Sequence, residues 1–162
     1  MSDFIRVEGE KFVREGTPIL FKGLGIGSWL NIEHFMMGIP CTDQMMRESF
    51  VNVYGKECAA DFFKRLADAF ITEADFAYLH SLGIDLLRVP FNYRLFIDDE
   101  VPECLKEDGF AYFDRLISYG RKYDIYILPD LHTVPGGQNP DWHSDNRTGY
   151  TQFWQYCFAI RW

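Results

Sequence analysis

The sequence has 162 residues, with 16 Lys and Arg against 24 Asp and Glu, so its formal net charge is −8. This length allows one domain, and 48% hydrophobic residues are too many for a disordered chain. The acidic balance argues against nucleic acid, which is bound through clustered Lys and Arg. The sequence lacks both an apolar run of about 18 residues and a signal-peptide pattern. We therefore expect a cytoplasmic protein with no membrane partner.

The cysteines lie far apart and form no Cys-x-x-Cys pair, which argues against a zinc site or a small disulfide scaffold. We expect reduced, mostly buried thiols at Cys41, Cys58, Cys104 and Cys157. Aromatic residues are abundant, at 4 Trp, 9 Tyr and 15 Phe. Such a composition first predicts a core rich in rings, and only secondarily a cleft lined by them.

The chain opens with a predicted hairpin, in which the short strand-like runs FIRVEG and KFVRE surround Gly9. A second turn at residues 16–18 leads into ILFKGLGIG. The glycines of GLGIGSW do not have the spacing of a phosphate-binding loop. Residues 31–70 follow as a predicted helical insertion, because their apolar side chains recur at helical spacing.

A further helix is predicted to begin at Thr72, which can form a capping box with Asp75. Ile71 and Phe76 occupy the two positions of a hydrophobic staple. We expect the helix to end at Gly83, a residue that accepts a left-handed backbone. The apolar positions expected on its buried face are Phe76, Leu79 and Leu82.

Strand and helix patterns then alternate. The run IDLLRVPF is strand-like, FAYFDRLISYGRKYD has Phe110, Phe113, Leu116 and Ile117 on one helical face, and IYILPDLH is again strand-like. Pro129 within this last run removes a ladder donor, which either weakens the strand assignment or predicts a bulge beside Asp130. The final run TGYTQFWQYCFAIRW has helical character without a stop signal. Such alternation predicts a parallel sheet covered by helices, either an open sheet or a barrel.

A complete (β/α)8 barrel needs about 200 to over 400 residues. We therefore interpret residues 1–162 as the N-terminal part of a single TIM-barrel domain, with about three βα units after the opening hairpin and the insertion at about 31–70. Because a barrel cut after three strands leaves strand edges unpaired, we expect such a fragment to self-associate.

Polar side chains with possible chemistry follow or interrupt the predicted strands. Arg88 stands inside an apolar strand, where burial is costly unless a carboxylate or several acceptors satisfy its guanidinium. It is either part of a structural ion pair or an active-site brace. Asp130 and His132 are two residues apart, so on an extended strand they point to the same face. His132 is either a satisfied polar residue or a functional one. A metal site of Asp130, His132 and His143 is a weaker alternative, since the set has no local spacing signature.

Three runs carry a family pattern: FKGLGIGSWLNIEHF, ITEADFAYLHSLGIDLLRVPFNY and ILPDLHTVPGGQN. In order and approximate spacing they resemble the N-terminal part of glycoside hydrolase family 5, a cellulase-like family. The most similar members are of the exo-β-1,3-glucanase type. The resemblance implies a TIM barrel that hydrolyses β-linked glucans or related glycans by a retaining mechanism, with a carbohydrate substrate and no metal or organic cofactor.

The resemblance also implies roles for individual residues. Arg88 matches an arginine that braces the nucleophilic carboxylate, His132 matches a histidine at the cleavage subsite, and Glu33 matches a glutamate that binds hydroxyls of the terminal sugar. Ser28 stands where the family has a second glycine. Only Gln138 and Asn139 of the next loop belong to the matched motif. By position and chemistry, the further sugar contacts predicted in this loop are Asn139, Trp142, Asp145 and Asn146.

The family's catalytic pair of glutamates has no counterpart in the sequence. The acid/base lies in an Asn-Glu dipeptide, which is absent from the 162 residues. Glu33 and Asp130 lie near the expected cleft, but nothing in their spacing sets the separation that a catalytic pair needs. The favoured interpretation is the sugar-positioning half of a glycosidase site, inactive alone. The alternatives are a non-catalytic carbohydrate-binding relative and, less favoured, a metal-dependent barrel hydrolase.

Overall fold

Residues 4–155 are described from a computed structural model. The chain opens with a small antiparallel sheet of three short strands: β1 (Arg6–Glu8), β2 (Lys11–Arg14) and β3 (Thr17–Ile19). Its order is β1-β2-β3. Gly9 turns the first hairpin with a positive φ of 61°, a region that favours glycine. The predicted hairpin is thus confirmed.

A parallel sheet follows, formed by β4 (Gly23–Gly25), β5 (Leu86–Asn92) and β6 (Tyr126–Thr133). Its order is β4-β5-β6, so each strand lies beside the next one in the chain. Parallel neighbours need a crossover, and helices supply it here. This arrangement confirms the predicted α/β class and is that of the first strands of a TIM barrel.

The predicted insertion is helical. It contains α1 (His34–Met37), α2 (Asp43–Tyr54) and α3 (Lys56–Phe70). The side chain of Thr42 caps α2 by accepting a hydrogen bond from the Met45 N–H. A small core of Ile32, Met46 and Phe63 holds α2 and α3 against the segment that follows β4.

The helix predicted at Thr72 is α4 (Glu73–Ser81), and its capping box with Asp75 is present. Phe76 is fully buried, and Gly83 has a φ of 74° just beyond the helix. Leu82, however, is 58% exposed, so its predicted burial is wrong. Leu82 is the helix cap, after the last full turn, and the chain has already begun to leave the core there.

Helix α5 (Phe110–Tyr123) connects β5 to β6 and contributes Phe113 and Leu116 to the core. Phe110 and Ile117 are 46% and 40% exposed, so the buried face is narrower than the periodicity predicts. Gly120 brings α5 close to β6, because a Cβ at this position would lie 2.4 Å from the Ile125 carbonyl oxygen.

The main core lies between β5 and the helices α4 and α5. Leu87 and Val89 are fully buried on one face of β5. Since side chains alternate along a strand, Arg88 points to the opposite face. The buried members of this core are Ile26, Trp29, Leu30, Ile71, Phe76, Leu87, Val89, Phe113, Leu116 and Ile125. The helices therefore cover one face of the sheet and leave the polar side chains on the other.

The predicted position of the bulge in β6 is wrong. The bulge lies at His132, where the pairing jumps from Leu131 to Thr133, and not beside Asp130. Pro129 is accommodated in regular pairing, since β6 is the edge strand of the described sheet.

The thiols differ from the prediction as well. Cys58 and Cys104 are free and exposed, and Cys41 is partly buried. Cys157 lies outside the described residues, as does the rest of the predicted final helix beyond α6 (Gln152–Gln155). Among the described helices, none is long and apolar enough to cross a membrane.

Candidate active site

A polar cluster forms where β5 and β6 run side by side. Arg88 Nη2 donates to Asp130 Oδ2 at 2.5 Å, and His132 Nδ1 lies 2.9 Å from the same carboxylate oxygen. Arg88 Nη2 also lies 3.0 Å from His132 Nδ1. The predicted shared face of Asp130 and His132 is thus confirmed, and Arg88 has its carboxylate partner. Arg88 is not buried as its apolar flanks predict, because its side chain is 44% exposed on the open face.

These contacts restrict the imidazole of His132. An arginine only donates and an ionised carboxylate only accepts, so Nδ1 either donates to Asp130 or accepts from Arg88. In both cases the ring is held at Nδ1, and its Nε2 atom points away towards Glu33. The arrangement can present one imidazole nitrogen, in a fixed orientation, to a ligand.

Glu33 reaches this cluster from the segment after β4. Its Oε1 atom lies 3.7 Å from His132 Nε2, too far for a hydrogen bond, and its side chain is 11% exposed. The Ser28 hydroxyl accepts from the Glu33 N–H at 3.0 Å and donates to the Glu33 carbonyl at 3.1 Å. Ser28 therefore fixes the backbone that aims Glu33 at the cluster.

Ser28 itself has a φ of 56°, the left-handed region where the family's glycine carries no penalty. We expect Ser28→Ala to lower the free energy of unfolding by about 1–3 kcal/mol, because the buried Glu33 N–H loses its acceptor. Ser28→Gly loses the same acceptor but relieves about 1 kcal/mol of left-handed strain, so it should be the milder change. Denaturant unfolding of both variants checks this order. A more stable Ala variant would contradict the role of the hydroxyl.

The loop after β6 carries the remaining predicted contacts. Asn139 Nδ2 lies 2.9 Å from His143 Nε2, while its Oδ1 accepts from the Asp141 N–H and the Ser144 hydroxyl. The rings of His143 and His132 have their centroids 5.8 Å apart. Asn139 therefore orients the histidine that flanks His132, and its own amide is largely occupied within the loop.

Trp142 lies at the rim of the cluster. It is 40% exposed and meets the His34 ring edge to face, with centroids 5.3 Å apart. An exposed indole beside polar groups can stack on a sugar ring. Trp142 is thus exposed enough to contact a sugar, and its role as a sugar contact stays a prediction.

Asp145 and Asn146 do not face the cluster's open side. The Asp145 side chain is 2% exposed, and Asn146 is 4% exposed. The amide of Asn146 donates to the carbonyls of Asn139 and Tyr150 and accepts from Thr148. The prediction that Asp145 and Asn146 contact the sugar directly is therefore wrong, because both side chains are buried and form hydrogen bonds within the protein.

Sequence reasoning missed the partners of Asp145. Its Oδ1 accepts from the Gln44 N–H at 2.8 Å, and its Oδ2 accepts from Asn92 Nδ2 at 2.9 Å and Arg94 Nη1 at 2.5 Å. Asp43 lies nearby, buried at 3% exposure and bonded to Arg47 at 2.6 Å. The only sequence signal was the position of Asn92 at the end of a strand.

Burial is the main cause that raises the pKa of Asp43 above the usual 3.8, and the nearby Asp145 adds to it, while Arg47 and the Ile32 N–H act in the opposite direction. The folded state thus holds this proton more tightly than the unfolded state, so stability falls as pH rises through the raised pKa. Compared with Asp43→Asn, we expect the wild type to gain relative stability as pH falls through the raised pKa towards the ordinary 3.8. Unfolding free energies of both proteins across this range check the slope. An opposite slope would contradict it.

A cavity of about 560 Å³ is lined by residues of α2, α3, the turn after β5 and the start of α5. Its lining includes Asp43, Arg47, Asn92, Arg94 and Asp145, but neither Arg88 nor His132. The polar cluster and this cavity are therefore separate features.

The predicted metal set of Asp130, His132 and His143 is not supported by the structure. Within residues 4–155, no group of three His, Cys, Asp or Glu side chains could hold a metal ion. His143 Nε2 is instead bonded to the amide of Asn139.

Comparison with known proteins yields related glycosidases. A β-xylosidase of Phanerodontia chrysosporium is 42% identical over 154 residues, which are 94% of this chain and 32% of that protein. Glucan 1,3-beta-glucosidase 1 of Schizosaccharomyces pombe is 30% identical over 139 residues, 79% of this chain and 33% of that protein. The chain spans about a third of the length of these curated relatives. No family model matches the sequence.

Among solved structures, the rutinosidase from Aspergillus niger shares the fold, with a TM-score of 0.59 and 23% identity. The match covers 78% of this chain and 36% of the rutinosidase. The described residues therefore form part of a larger α/β domain. This confirms the prediction that the chain is part of a larger α/β domain.

Proposed function

The chain belongs to glycoside hydrolase family 5, and from this we propose that the full-length protein carrying it hydrolyses O-glycosidic bonds of β-linked glucans or related glycans. The observation that carries the proposal is the cluster of Glu33, Arg88, Asp130 and His132 at neighbouring strands. In TIM barrels ligands bind at the C-terminal ends of the strands, and His132 lies at that end of β6. The names of the two curated relatives, a xylosidase and a glucosidase, support glycoside hydrolysis as the reaction class.

In this proposal, the described residues hold and orient the sugar. Glu33 accepts hydrogen bonds from sugar hydroxyls, and Trp142 offers a stacking face. His132 Nε2 contacts the sugar where the bond is cleaved, and the Arg88–Asp130 pair keeps the imidazole in place. Asn139 acts through His143, to which its amide is bonded.

The chemical step needs two further carboxyl groups. In a retaining glycosidase one acts as acid/base and the other as nucleophile, about 5–5.5 Å apart. The nucleophile displaces the leaving group while the acid protonates its oxygen, and water then hydrolyses the glycosyl-enzyme. We assign both groups to parts of the protein beyond these 162 residues. The sequence contains no Asn-Glu dipeptide for the acid/base, and the resemblance places the nucleophile on the seventh strand, whereas the described parallel sheet has three strands.

A second candidate function is carbohydrate binding without catalysis. The same absence of an Asn-Glu dipeptide favours it, because the positioning groups are present without the catalytic pair.

Self-association of the 162-residue chain stays a prediction. The exposed Leu128 and Leu131 on the edge strand β6, at 48% and 52%, support it.

The full-length protein decides between the two functions. It is assayed on the 4-nitrophenyl β-glycosides of xylose and glucose, on short β-linked xylan and glucan oligosaccharides, and on 4-nitrophenyl α-glucoside as a control. We expect turnover of at least one β-glycoside and none of the α-glucoside. Proton NMR of the first product identifies the anomer, and retention is expected. Binding without turnover would favour the non-catalytic alternative, and an inverted product would contradict the retaining mechanism.

A further inference from the structure

The carboxylate of Asp145 joins three segments that are far apart in the sequence. Gln44 lies at the start of α2, Asn92 ends β5 and Arg94 follows it, while Asp145 itself ends the short helical turn Trp142–Ser144. All three partners donate to Asp145, at 2.8, 2.9 and 2.5 Å. One buried side chain thus ties the insertion and the end of β5 to the loop after β6.

The side chain at position 145 has to accept hydrogen bonds at both of its terminal atoms and donate none. A backbone N–H, an amide N–H and a guanidinium N–H converge on the two carboxylate oxygens. An asparagine in place of Asp145 would turn an amide N–H towards at least one of these donors in either orientation. A buried donor facing another donor leaves both groups without a hydrogen-bond partner, and both then lose the stabilisation that water or an acceptor would give them.

The tie leads directly to the polar cluster. Asp145 follows the turn that carries Trp142 and His143, and the Asp145 N–H donates to the Trp142 carbonyl at 3.0 Å. On the other side of the turn, Asn31 Nδ2 donates to the His143 carbonyl at 3.1 Å. The His143 ring lies against His132, and the Trp142 ring lies against His34. A shift of this turn would therefore move the wall beside His132.

We infer that Asp145 is a positioning residue of the proposed glycosidase site, whose acceptor-only carboxylate fixes the turn carrying Trp142 and His143 against His132. The inference rests on the proposed function for its kinetic consequence, but not for its structural one. Asp145 acts through the turn that carries Trp142 and His143, and it does not contact the sugar. It makes the start of α2, in the insertion, part of the machinery that sets the shape of the sugar-binding wall.

The test uses the full-length protein and three variants. Asp145→Asn breaks the pattern of donors and acceptors. The double variant Asn92→Asp with Asp145→Asn exchanges the two groups, so the carboxylate now at position 92 accepts from the amide N–H now at position 145. The amide oxygen at position 145 still accepts from the Gln44 N–H. Arg94 Nη1, which donates to the same Asp145 oxygen as Asn92 Nδ2, has to turn from position 145 to the carboxylate now at position 92.

The third variant, Glu48→Gln, is the matched control. Glu48 joins α2 to Arg147 of the same loop at 2.9 Å, but it does so on the surface. The substitution therefore removes an ion pair between the same two segments without disturbing the buried donors around Asp145.

We expect Asp145→Asn to lower kcat/KM about 10- to 100-fold in protein that is still folded by circular dichroism, since a small misplacement near the reacting centre is enough for such a loss. The double variant should recover part of the loss, since it restores the bond between positions 92 and 145, and Glu48→Gln should behave like the wild type. A merely structural role would instead lower Tm while leaving kcat/KM of the folded protein unchanged. That result, or equal kinetic losses in the single and double variants, would overturn the inference.

NMR of the histidine side chains separates this inference from the proposed function. The Cε1–H signal of His143 should shift in Asp145→Asn and return in part in the double variant, whether or not the wild type has glycosidase activity. An inactive wild type with this pattern would contradict the proposed function and support the positioning role. An unchanged His143 signal would overturn the positioning role alone. If Asp145→Asn does not fold, Asn92→Ala removes only one of the three donors, and a smaller shift of the same signal is expected.

Discussion

A polypeptide limited to these 162 residues is expected to show no turnover of aryl β-glycosides. Hydrolysis with retention needs a nucleophile and an acid/base about 5–5.5 Å apart. Of the two acids near His132, Asp130 accepts from Arg88 at 2.5 Å, and Glu33 lies 3.7 Å from His132 Nε2 with its side chain 11% exposed, in the position of a sugar-binding group. Positioning groups without the catalytic pair cannot form or hydrolyse a glycosyl-enzyme.

The measurement is release of 4-nitrophenol by purified 162-residue protein, compared with the full-length protein at equal concentration. Glu33→Gln and Asp130→Asn in the short polypeptide serve as controls for contaminating glycosidases. Turnover that survives purification and disappears in either variant would show that these acids do catalyse. It would also make the 162 residues a complete active unit, contrary to our interpretation.

The sequence contained enough to predict the order of strands and helices, because local patterns determine it. Thr72 and Asp75 form the predicted capping box, and Phe76 is fully buried as the helical period indicates. The shared face of Asp130 and His132 follows from the two-residue period of a strand. The sequence indicated that Arg88 needs an acceptor, and the register of β5 and β6 makes Asp130 that acceptor. Each of these contacts lies within one element or between adjacent parallel strands.

The role of Asp145 could not be predicted in this way. Its partners Gln44 and Asn92 lie 101 and 53 residues away in the sequence, and no periodicity relates loops that meet only in the folded chain. Its φ of 54° places it in the left-handed region, and its side chain is buried, whereas an acid in a polar loop is expected to be exposed. Position and chemistry predicted a sugar ligand at Asp145, and tertiary hydrogen bonds direct its side chain to the interior instead.

In the full-length protein, His132→Ala is expected to lower kcat and kcat/KM together by about 100-fold or more. The ring is fixed at Nδ1 by either Asp130 or Arg88, and its Nε2 lies 3.7 Å from Glu33, where a sugar hydroxyl or a catalytic carboxyl could be contacted. The bulge in β6 at His132 supports this role, because bulges near active sites re-aim side chains. A contact made mainly in the transition state contributes to rate more than to substrate binding.

A histidine that only stabilises the fold would behave differently. Its loss would lower Tm and leave the turnover of the folded protein near normal. His80→Ala is the matched control, because His80 is a histidine on α4 whose ring lies 6.3 Å from that of Tyr123, on the helical side of the sheet. Kinetics and thermal unfolding are measured on the same preparations. Normal kinetics with a reduced Tm would remove His132 from the site, whereas a rate loss confined to His132→Ala would place its imidazole against the substrate or the catalytic pair.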